Sequence, residues 1–326
     1  MKAAILAAGR GIRLRPLTDS VPKTLVPVLN RPLLGLLLAR LEDAGFLQVA
    51  VNVHYLAEQV QQFLARPWGF HLSVSQEPEL LGTGGGLRRL AEILGGGPFL
   101  AVNGDILTDL DLKTVYRNHA QEAVATLVLH DCPPYNNVWV AEGSVASVGE
   151  PPAGGAAGPP LAYTGVQVVG PGMLRYLPAG GPSNLLDAWR AALAAGERLA
   201  ALVSTGHFWQ DLGTPAAYLA AHRRLLSGAA PRLDHYFGPL ADPFLGPGAV
   251  IEAGAKFGAG VCLGTGVRIG AGAALKNTVV WEGAAIGPGV TLEDCIVASG
   301  VRVRRDARGE VLVWNSLDFP LSWEKT

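Results

Sequence analysis

The sequence predicts an α/β protein in two parts: an open, mostly parallel sheet with helices on both faces, then a short parallel β-helix. Two observations carry that expectation. Apolar runs of strand length alternate with helix-length patterns over roughly the first 228 residues. From Leu245 the pattern changes to an apolar residue every six, with small residues between. A length of 326 residues also exceeds one ordinary domain.

The elements follow in order. Residues 3–8 form an apolar run that reads as a buried strand, and they lead directly into a loop bearing Gly9 and Gly11. Residues 32–44 read as a helix, with Pro32 at its first turn and Gly45 just past its end. A strand at 49–53, a helix at 57–65, a strand at 70–75 and a helix at 84–93 come next. A strand at 99–102 then ends at Asn103-Gly104-Asp105. This βαβα order is Rossmann-like and places ligands at the carboxyl ends of the strands, where the first loop and the Asn-Gly-Asp both sit. Residues 123–169 are strand-like but less regular, and the Gly/Pro/Ala-rich stretch 151–160 reads as a mobile loop. Helices at 184–195 and 214–226 each begin at a good N-cap residue.

The six-residue beat runs through Leu245, Ile251, Phe257, Leu263 and Ile269, and resumes at Ile286, Leu292 and Ala298. Such a beat stacks one apolar position per flat segment and turns at tight corners, with about ten hexads making roughly three coils. The expected domains are 1–228, a linker at 229–243, the β-helix at 244–313 and a tail at 314–326. In the tail, Trp314, Phe319 and Trp323 are expected to pack back on a coil or a neighbour. The first part looks able to bury its own core without the repeats. The repeats, with Trp281 on an outer face, look suited to self-association into a homo-oligomer.

Composition narrows the classes. A formal net charge of −1 gives no basic footprint for nucleic acid or an anionic membrane. Cys132, Cys262 and Cys295 are odd in number and widely spaced, so no disulfide framework or metal knuckle is expected. No apolar run has membrane-spanning length, and a strand starting at residue 3 is no signal peptide, so a cytoplasmic enzyme is the expectation.

The glycine-bearing loop allows backbone N–H groups to approach phosphate oxygens, and Arg13 and Lys23 add positive charge nearby. Asp105 reads either as a turn former or as a metal ligand. Asp211 reads either as a partner of the helix beginning near Thr214 or as a second ligand. Asp111 reads as a helix cap and is set aside with Asp109; His54 reads as a supporting histidine.

The string Gly9, Gly11, Arg13, Leu14, Pro16, Leu17, Thr18, then Pro22-Lys23, meets every position of G-x-G-x-R-[LM]-x-P-[LM]-T followed by P-K. It resembles the signature of sugar-1-phosphate nucleotidylyltransferases. The resemblance implies that Leu6, Ala8, Gly9, Gly11, Arg13, Lys23 and Gly104 bind the nucleotide. It implies that Asp105 (in a G-D motif) and Asp211 (in Trp209-Gln-Asp-Leu-Gly-Thr-Pro215) hold Mg²⁺. Residues 75–86 resemble the base-reading segment, which implies roles for Gln76, Glu77, Gly82 and Thr83. Tyr163-Thr164-Gly165-Val166 resembles the T-G-[IV] strand at the sugar. With Asn103 and Glu150, Thr164 and Gly165 are then the expected sugar-phosphate contacts. The repeats resemble left-handed hexapeptide-repeat β-helices. The partners implied are a nucleoside triphosphate and a sugar 1-phosphate. The attacking phosphate is already an anion, so positioning and electrostatics are expected to carry catalysis without a general base.

The chain departs from the pattern at Glu150-Pro151-Pro152, where the family has E-K-P. No lysine occurs between Lys113 and Lys256, so an arginine such as Arg175, or Lys23 with metal and backbone, would hold the acceptor phosphate. Whole-chain architecture resembles GDP-mannose pyrophosphorylases. The catalytic stretch resembles N-acetylmuramate-1-phosphate uridylyltransferases at least as closely, and a glucose 1-phosphate uridylyltransferase is a further alternative. Of the other classes, acyl transfer by the β-helix lacks a histidine, since all seven lie at or before His235. A non-catalytic regulatory paralogue would be marked by loss of Arg13, Lys23, Asp105 or Asp211, and all four are present.

Overall fold

The computed structural model describes residues 1–152 and 157–314. The chain forms two compact units. The first comprises Met1–Gly11, Val21–Val26 and Pro32–Asp211; the second comprises Ile12–Ser20, Pro27–Arg31 and the chain from Leu212 onward.

The first unit is built on strand β1 (Lys2–Leu6), which lies between β4 (Gln48–Val53) and β6 (Phe99–Asn103), parallel to both. Helices cover both faces of these strands, which is why their central residues are apolar on both sides. Side chains alternate between two cores. Ala3 and Ile5 point to one core with α1 (Leu33–Asp43), α2 (Ala57–Leu64) and α4 (Leu112–Arg117). Ala4 points to the other, with α3 (Gly82–Leu94) and α5 (Leu185–Ala194). Ala4, Ala50 and Ala101 stand in register across three strands, so the face under α3 is shallow. That allows the glycine-rich first turns of α3 to lie close to the sheet. A Cβ on Gly86 would meet Asn52 Nδ2 at 2.5 Å and Leu6 Cδ2 at 3.4 Å.

The nine-stranded sheet has the order β5-β4-β1-β6-β11-β8-β12-β10-β9, where β5 is His71–Gln76, β8 is Ala125–His130, β9 is Val138–Ala141, β10 is Ser144–Val148, β11 is Ala162–Val169 and β12 is Leu199–Val203. The first four strands and the β8/β12 pair are parallel. Strand β11 is antiparallel to both neighbours, and β9 and β10 form an edge hairpin. The irregular residues 123–169 thus supply the antiparallel strands of the mixed sheet. The stretch expected as a mobile loop includes residues 153–156, which lie outside the described residues.

A two-stranded ribbon completes the first unit: β13 (Trp209–Asp211) runs antiparallel to β7 (Ile106–Thr108). Buried Asp109 fastens it, its Oδ1 accepting the Phe208 N–H at 2.6 Å, while the Thr108 hydroxyl donates to Phe208 O at 2.7 Å.

The second unit contains α6 (Pro215–Leu226) and thirteen short strands between Phe244 and Leu312. Those strands stack as three parallel sheets of five, four and four, consistent with a left-handed β-helix. Each residue pairs with the one a turn later, Leu245 with Leu263 and Leu263 with Val280. The five stacked strands of the first sheet mean four turns and one further strand, one turn more than the hexads suggest. The extra turn was hidden for a physical reason. At one corner Asn277 and Asp294 adopt φ values of 44° and 56°, which shortens the corner and breaks the six-residue phase. In the last turn the corner between Arg302-Val303 and Ala307-Arg308 is Arg304-Arg305-Asp306, without a glycine, although Gly300 and Gly309 keep positive φ on either side.

Two expectations change here. Trp281 is not an outer-face residue; it is 3% exposed, and its indole N–H donates to Tyr218 OH at 3.0 Å. The repeats also do not stand apart from the N-terminal residues. Strands β2 (Pro27–Val28) and β3 (Arg31–Pro32) flank a turn at Leu29-Asn30, both with positive φ. Within the second unit, Asn30 Nδ2 donates to Leu263 O at 2.8 Å, and the Leu29 N–H donates to His222 Nε2 at 3.2 Å. Tyr218 OH donates to Pro27 O. Trp314 packs on a coil corner, donating to Ser299 O at 3.0 Å, whereas Phe319 and Trp323 lie outside the described residues. No helix of the described residues is long and apolar enough to cross a membrane.

Candidate active site

The carboxyl ends of β1 and β6 define the site. Leu6 closes β1, Ala7 and Ala8 follow it, and at Gly9 a Cβ would meet nothing within 4 Å. Gly11 takes φ 64°, a value that suits glycine. The first segment of the first unit ends there, and Arg13 sits exposed on the 3₁₀ turn Ile12–Leu14, which belongs to the second unit.

Gly104 follows β6 and donates its N–H to Leu6 O at 2.9 Å. A Cβ there would stand 3.0 Å from Leu6 O and 3.1 Å from Thr24 Cγ2, so the position suits a residue without one. That close approach brings the 3₁₀ turn Lys23–Leu25 beside Asp105. Lys23 Nζ lies 2.5 Å from Asp105 Oδ2 and 3.6 Å from Asp211 Oδ1. Asp211 reaches the same ammonium because β13 pairs it with Ile106, the residue after Asp105. A local ladder thereby joins two carboxylates that are far apart in sequence.

One ammonium facing two carboxylates leaves the centre with net negative charge. Lys23 is buried, while the Asp105 side chain keeps 33% of its surface exposed, so the centre opens to solvent on the Asp105 side. The donors offered are carboxylate oxygens, which suit a hard divalent cation. Among the described residues no group of three or more His, Cys, Asp or Glu gathers to hold a metal. Two carboxylates with remaining positions open to phosphate and water is the pattern magnesium accepts.

On the far side of β6, Asn103 faces the bulge in β11. Gly165 takes φ 81° there, and a Cβ would meet Ile106 Cγ1 at 2.9 Å and Asn103 Nδ2 at 3.2 Å. The Thr164 side chain turns inward, its hydroxyl donating to Val128 O at 2.9 Å. Its carbonyl accepts the Trp209 indole N–H at 2.8 Å. Trp209 and Asp211 are alternate residues on one strand and so share a face. Around Trp209 gather His130, at 4.8 Å between ring centroids, and Tyr135, at 5.8 Å, with His207 stacked on His130. Burial, and the neighbouring His207, push the His130 pKa down to about 4. No local pattern in the chain marks this aromatic group, which joins residues 130–135 to residues 207–209.

Glu150 is exposed after β10, and its carbonyl accepts the Ser147 hydroxyl at 2.6 Å. Arg175 is exposed, with its Nη2 2.6 Å from Glu197 Oε1. The arginine that reaches this loop is Arg190. Its Nε donates to Val148 O at 3.1 Å, and its Nη2 occupies the space a side chain at Gly149 would need.

The expected base-reading segment divides in two. Gln76 is exposed, accepting from Gln61 at 3.1 Å. Glu77 is turned inward, its Oε2 accepting the Leu81 N–H at 3.0 Å. Gly82 has φ 69°, the Gly84 N–H donates to Ser183 O at 2.9 Å, and Thr83 Oγ1 accepts the Leu185 N–H at 3.0 Å. The start of α3 is thus clasped by the start of α5, a link between distant residues that sequence reading missed. His54 supports the same segment, its Nδ1 2.9 Å from Glu77 O.

The Nucleotidyl transferase family matches residues 2–228, and the GMPPB C-terminal domain matches residues 241–313. N-acetylmuramate alpha-1-phosphate uridylyltransferase of Neisseria meningitidis serogroup B is 36% identical over 220 residues, covering 66% of this chain and 94% of that protein. Mannose-1-phosphate guanylyltransferase catalytic subunit beta of Drosophila pseudoobscura pseudoobscura is 34% identical over 325 residues, covering 95% and 86%. The solved UDP-glucose pyrophosphorylase from Acinetobacter baumanii shares the fold, with a TM-score of 0.60 over 72% of this chain and 96% of that one at 21% identity. The chain belongs to the nucleotidyl transferase family, among the sugar-1-phosphate nucleotidylyltransferases.

Proposed function

We propose that the protein is a mannose-1-phosphate guanylyltransferase, joining mannose 1-phosphate to GTP to give GDP-mannose and pyrophosphate. The reading rests on the Lys23, Asp105 and Asp211 centre for the chemistry. For the substrates it rests on similarity to a mannose-1-phosphate guanylyltransferase that extends through the coil, over 95% of the chain.

In this reading the backbone around Gly9 and Gly11 cradles the triphosphate, with Leu6, Ala8 and Gly104 lining it and Arg13 adding charge. Lys23 neutralises charge developing on the α-phosphate. Asp105 and Asp211 would hold a magnesium ion, which supplies neutralisation of the phosphate oxygens when bound. Gln76 and the backbone at Gly82 and Thr83 meet the base. Asn103, Glu150 and Gly165 orient the sugar, with Trp209 closing that side. The acceptor phosphate attacks as an anion, so no residue needs to remove a proton. Self-association is assigned to the coil, whose first turn leaves Leu245, Val250 and Ile251 exposed. A cytoplasmic setting accords with a soluble biosynthetic role.

A second reading is favoured by one observation. Over the catalytic stretch the chain is 36% identical to an N-acetylmuramate alpha-1-phosphate uridylyltransferase. Pyrophosphate release from four nucleoside triphosphates, each paired with mannose, glucose and N-acetylmuramate 1-phosphates in Mg²⁺, separates the two. The proposal expects GTP with mannose 1-phosphate to give the highest kcat/KM. UTP with N-acetylmuramate 1-phosphate in that place would replace it.

A further inference from the structure

We infer that Asn52 and Glu77 are positioning residues that set the separation of the phosphate loop from the base loop, an inference that rests on the nucleotide reading above. Asn52 stands on β4 and is 2% exposed; Glu77 follows β5 and is 3% exposed. The Ala7 N–H donates to Asn52 Oδ1 at 2.7 Å. Asn52 Nδ2 donates to Glu77 Oε1 at 2.7 Å. The Leu81 N–H donates to Glu77 Oε2 at 3.0 Å. One continuous line of hydrogen bonds therefore runs from the end of β1 to the first turn of α3. Each end is a backbone N–H, so the line fixes main chain on both sides of the cleft.

The environment shows that this line is built for position. A buried carboxylate without a cation is costly unless its oxygens are fully used. Glu77 is held by an amide and a backbone N–H. Its own backbone is fixed too, the N–H donating to Val53 O at 2.8 Å and the carbonyl lying 2.9 Å from His54 Nδ1. Gly86 leaves room above the pair, since a Cβ there would stand 2.5 Å from Asn52 Nδ2 and 3.1 Å from Glu77 Oε1. Helix α3 is thereby seated on the line. Neither side chain reaches the reacting atoms, so both act through Ala7 and Leu81.

Donor and acceptor order along the line makes a sharp test. Glu77→Gln replaces one acceptor by a donor. Whichever way the new amide turns, and whichever way Asn52 then turns, two donors face each other at Leu81, at position 52 or at Ala7. Asn52→Asp instead sets two carboxylates against each other. The double exchange Asn52→Asp with Glu77→Gln restores an acceptor for each N–H and keeps one carboxylate in the same space. The experiment is calorimetric titration of each full-length variant with each of the four nucleoside triphosphates and Mg²⁺, without sugar phosphate, followed by turnover of the panel above. Misplacing bound groups by about 1 Å costs on the order of 100-fold. Each single variant is expected to bind nucleotide about 10- to 100-fold more weakly, with the KM for sugar 1-phosphate unchanged, and the double variant to return to within about threefold of the parent.

Singles that bind as the parent does would overturn the inference, as would a folded double variant no better than the singles. If the singles do not fold, a double variant that folds and binds normally supports the inference, and one that does not fold, or folds without binding, overturns it. A parent that binds none of the four nucleotides rejects the nucleotide reading instead.

Discussion

Replacing Lys23 by methionine keeps the length of the side chain and removes the ammonium lodged between Asp105 and Asp211. The ammonium is 2.5 Å from one carboxylate and 3.6 Å from the other, on a side chain only 9% exposed. Such a group is held in place before substrate arrives, so its charge acts at a fixed point. A charge-assisted hydrogen bond to a phosphate is worth about 1.5–3 kcal/mol, which is about 10- to 150-fold in kcat/KM. The loss should fall mainly on kcat, because the charge it neutralises develops during the reaction. Steady-state pyrophosphate release, with nucleotide varied at saturating sugar 1-phosphate, measures this loss. A Lys23→Met protein of parental melting temperature whose kcat/KM lies within twofold of the parent would refute the role assigned to this residue.

Asp105→Asn and Asp211→Asn should each remove most Mg²⁺-dependent turnover while leaving circular dichroism unchanged; near-parental turnover in either variant would take that residue out of the metal site. Gly165→Ala places a Cβ 2.9 Å from Ile106 Cγ1 at φ 81°, so the KM for sugar 1-phosphate should rise at least about tenfold with little change for nucleotide. His222 is fully buried and neutral, its pKa pushed by burial from 6.5 down to about 4. The unfolded chain binds that proton first, so stability is complete above pH 6.5 and falls as pH drops toward 4, by about 3 kcal/mol from this group. Urea denaturation of the parent and of His222→Gln between those pH values should show a shallower pH slope in the variant. Truncation after residue 227 removes Leu263 O and Trp281, the partners of Asn30 and Tyr218, so the shortened chain should melt several degrees lower; an unchanged melting temperature would contradict this.

Much of the fold was legible because its signals are local. Helix starts announced themselves through Thr214 at α6 and Asn184 at α5, whose side chains do cap those helices. The hexad beat marked the coil because the corner glycines recur with it, Gly248, Gly254, Gly260, Gly266 and Gly272 all having positive φ. What stayed hidden depends on pairing between distant segments. Strand β11 breaks its alternation at the Gly165 bulge, so its antiparallel place between β6 and β8 left no clean period. In the site, the string from Gly9 to Lys23 and the two aspartates drew attention by residue type. Their convergence is set by the β7/β13 register, which no spacing in the chain encodes. Glu77 drew attention as part of the segment that resembles the base-reading one, yet its carboxylate faces inward, where it accepts from Asn52 on a neighbouring strand. Trp281 looked like an exposed surface because the partner that covers it, Tyr218, lies on a helix before the repeats.

The central claim is that Lys23, Asp105 and Asp211 transfer a nucleotidyl group to a sugar 1-phosphate. The most direct measurement follows the label from α-³²P nucleoside triphosphate, with and without sugar 1-phosphate, in the parent and in the Asp105→Asn/Asp211→Asn double variant. The account predicts that the parent moves the label into a nucleotide sugar, releases unlabelled pyrophosphate in equal amount, and does so only with sugar 1-phosphate present. It predicts no such transfer by the double variant. Label that stays in the triphosphate with every sugar 1-phosphate, or a double variant that transfers it as fast as the parent, would contradict the account.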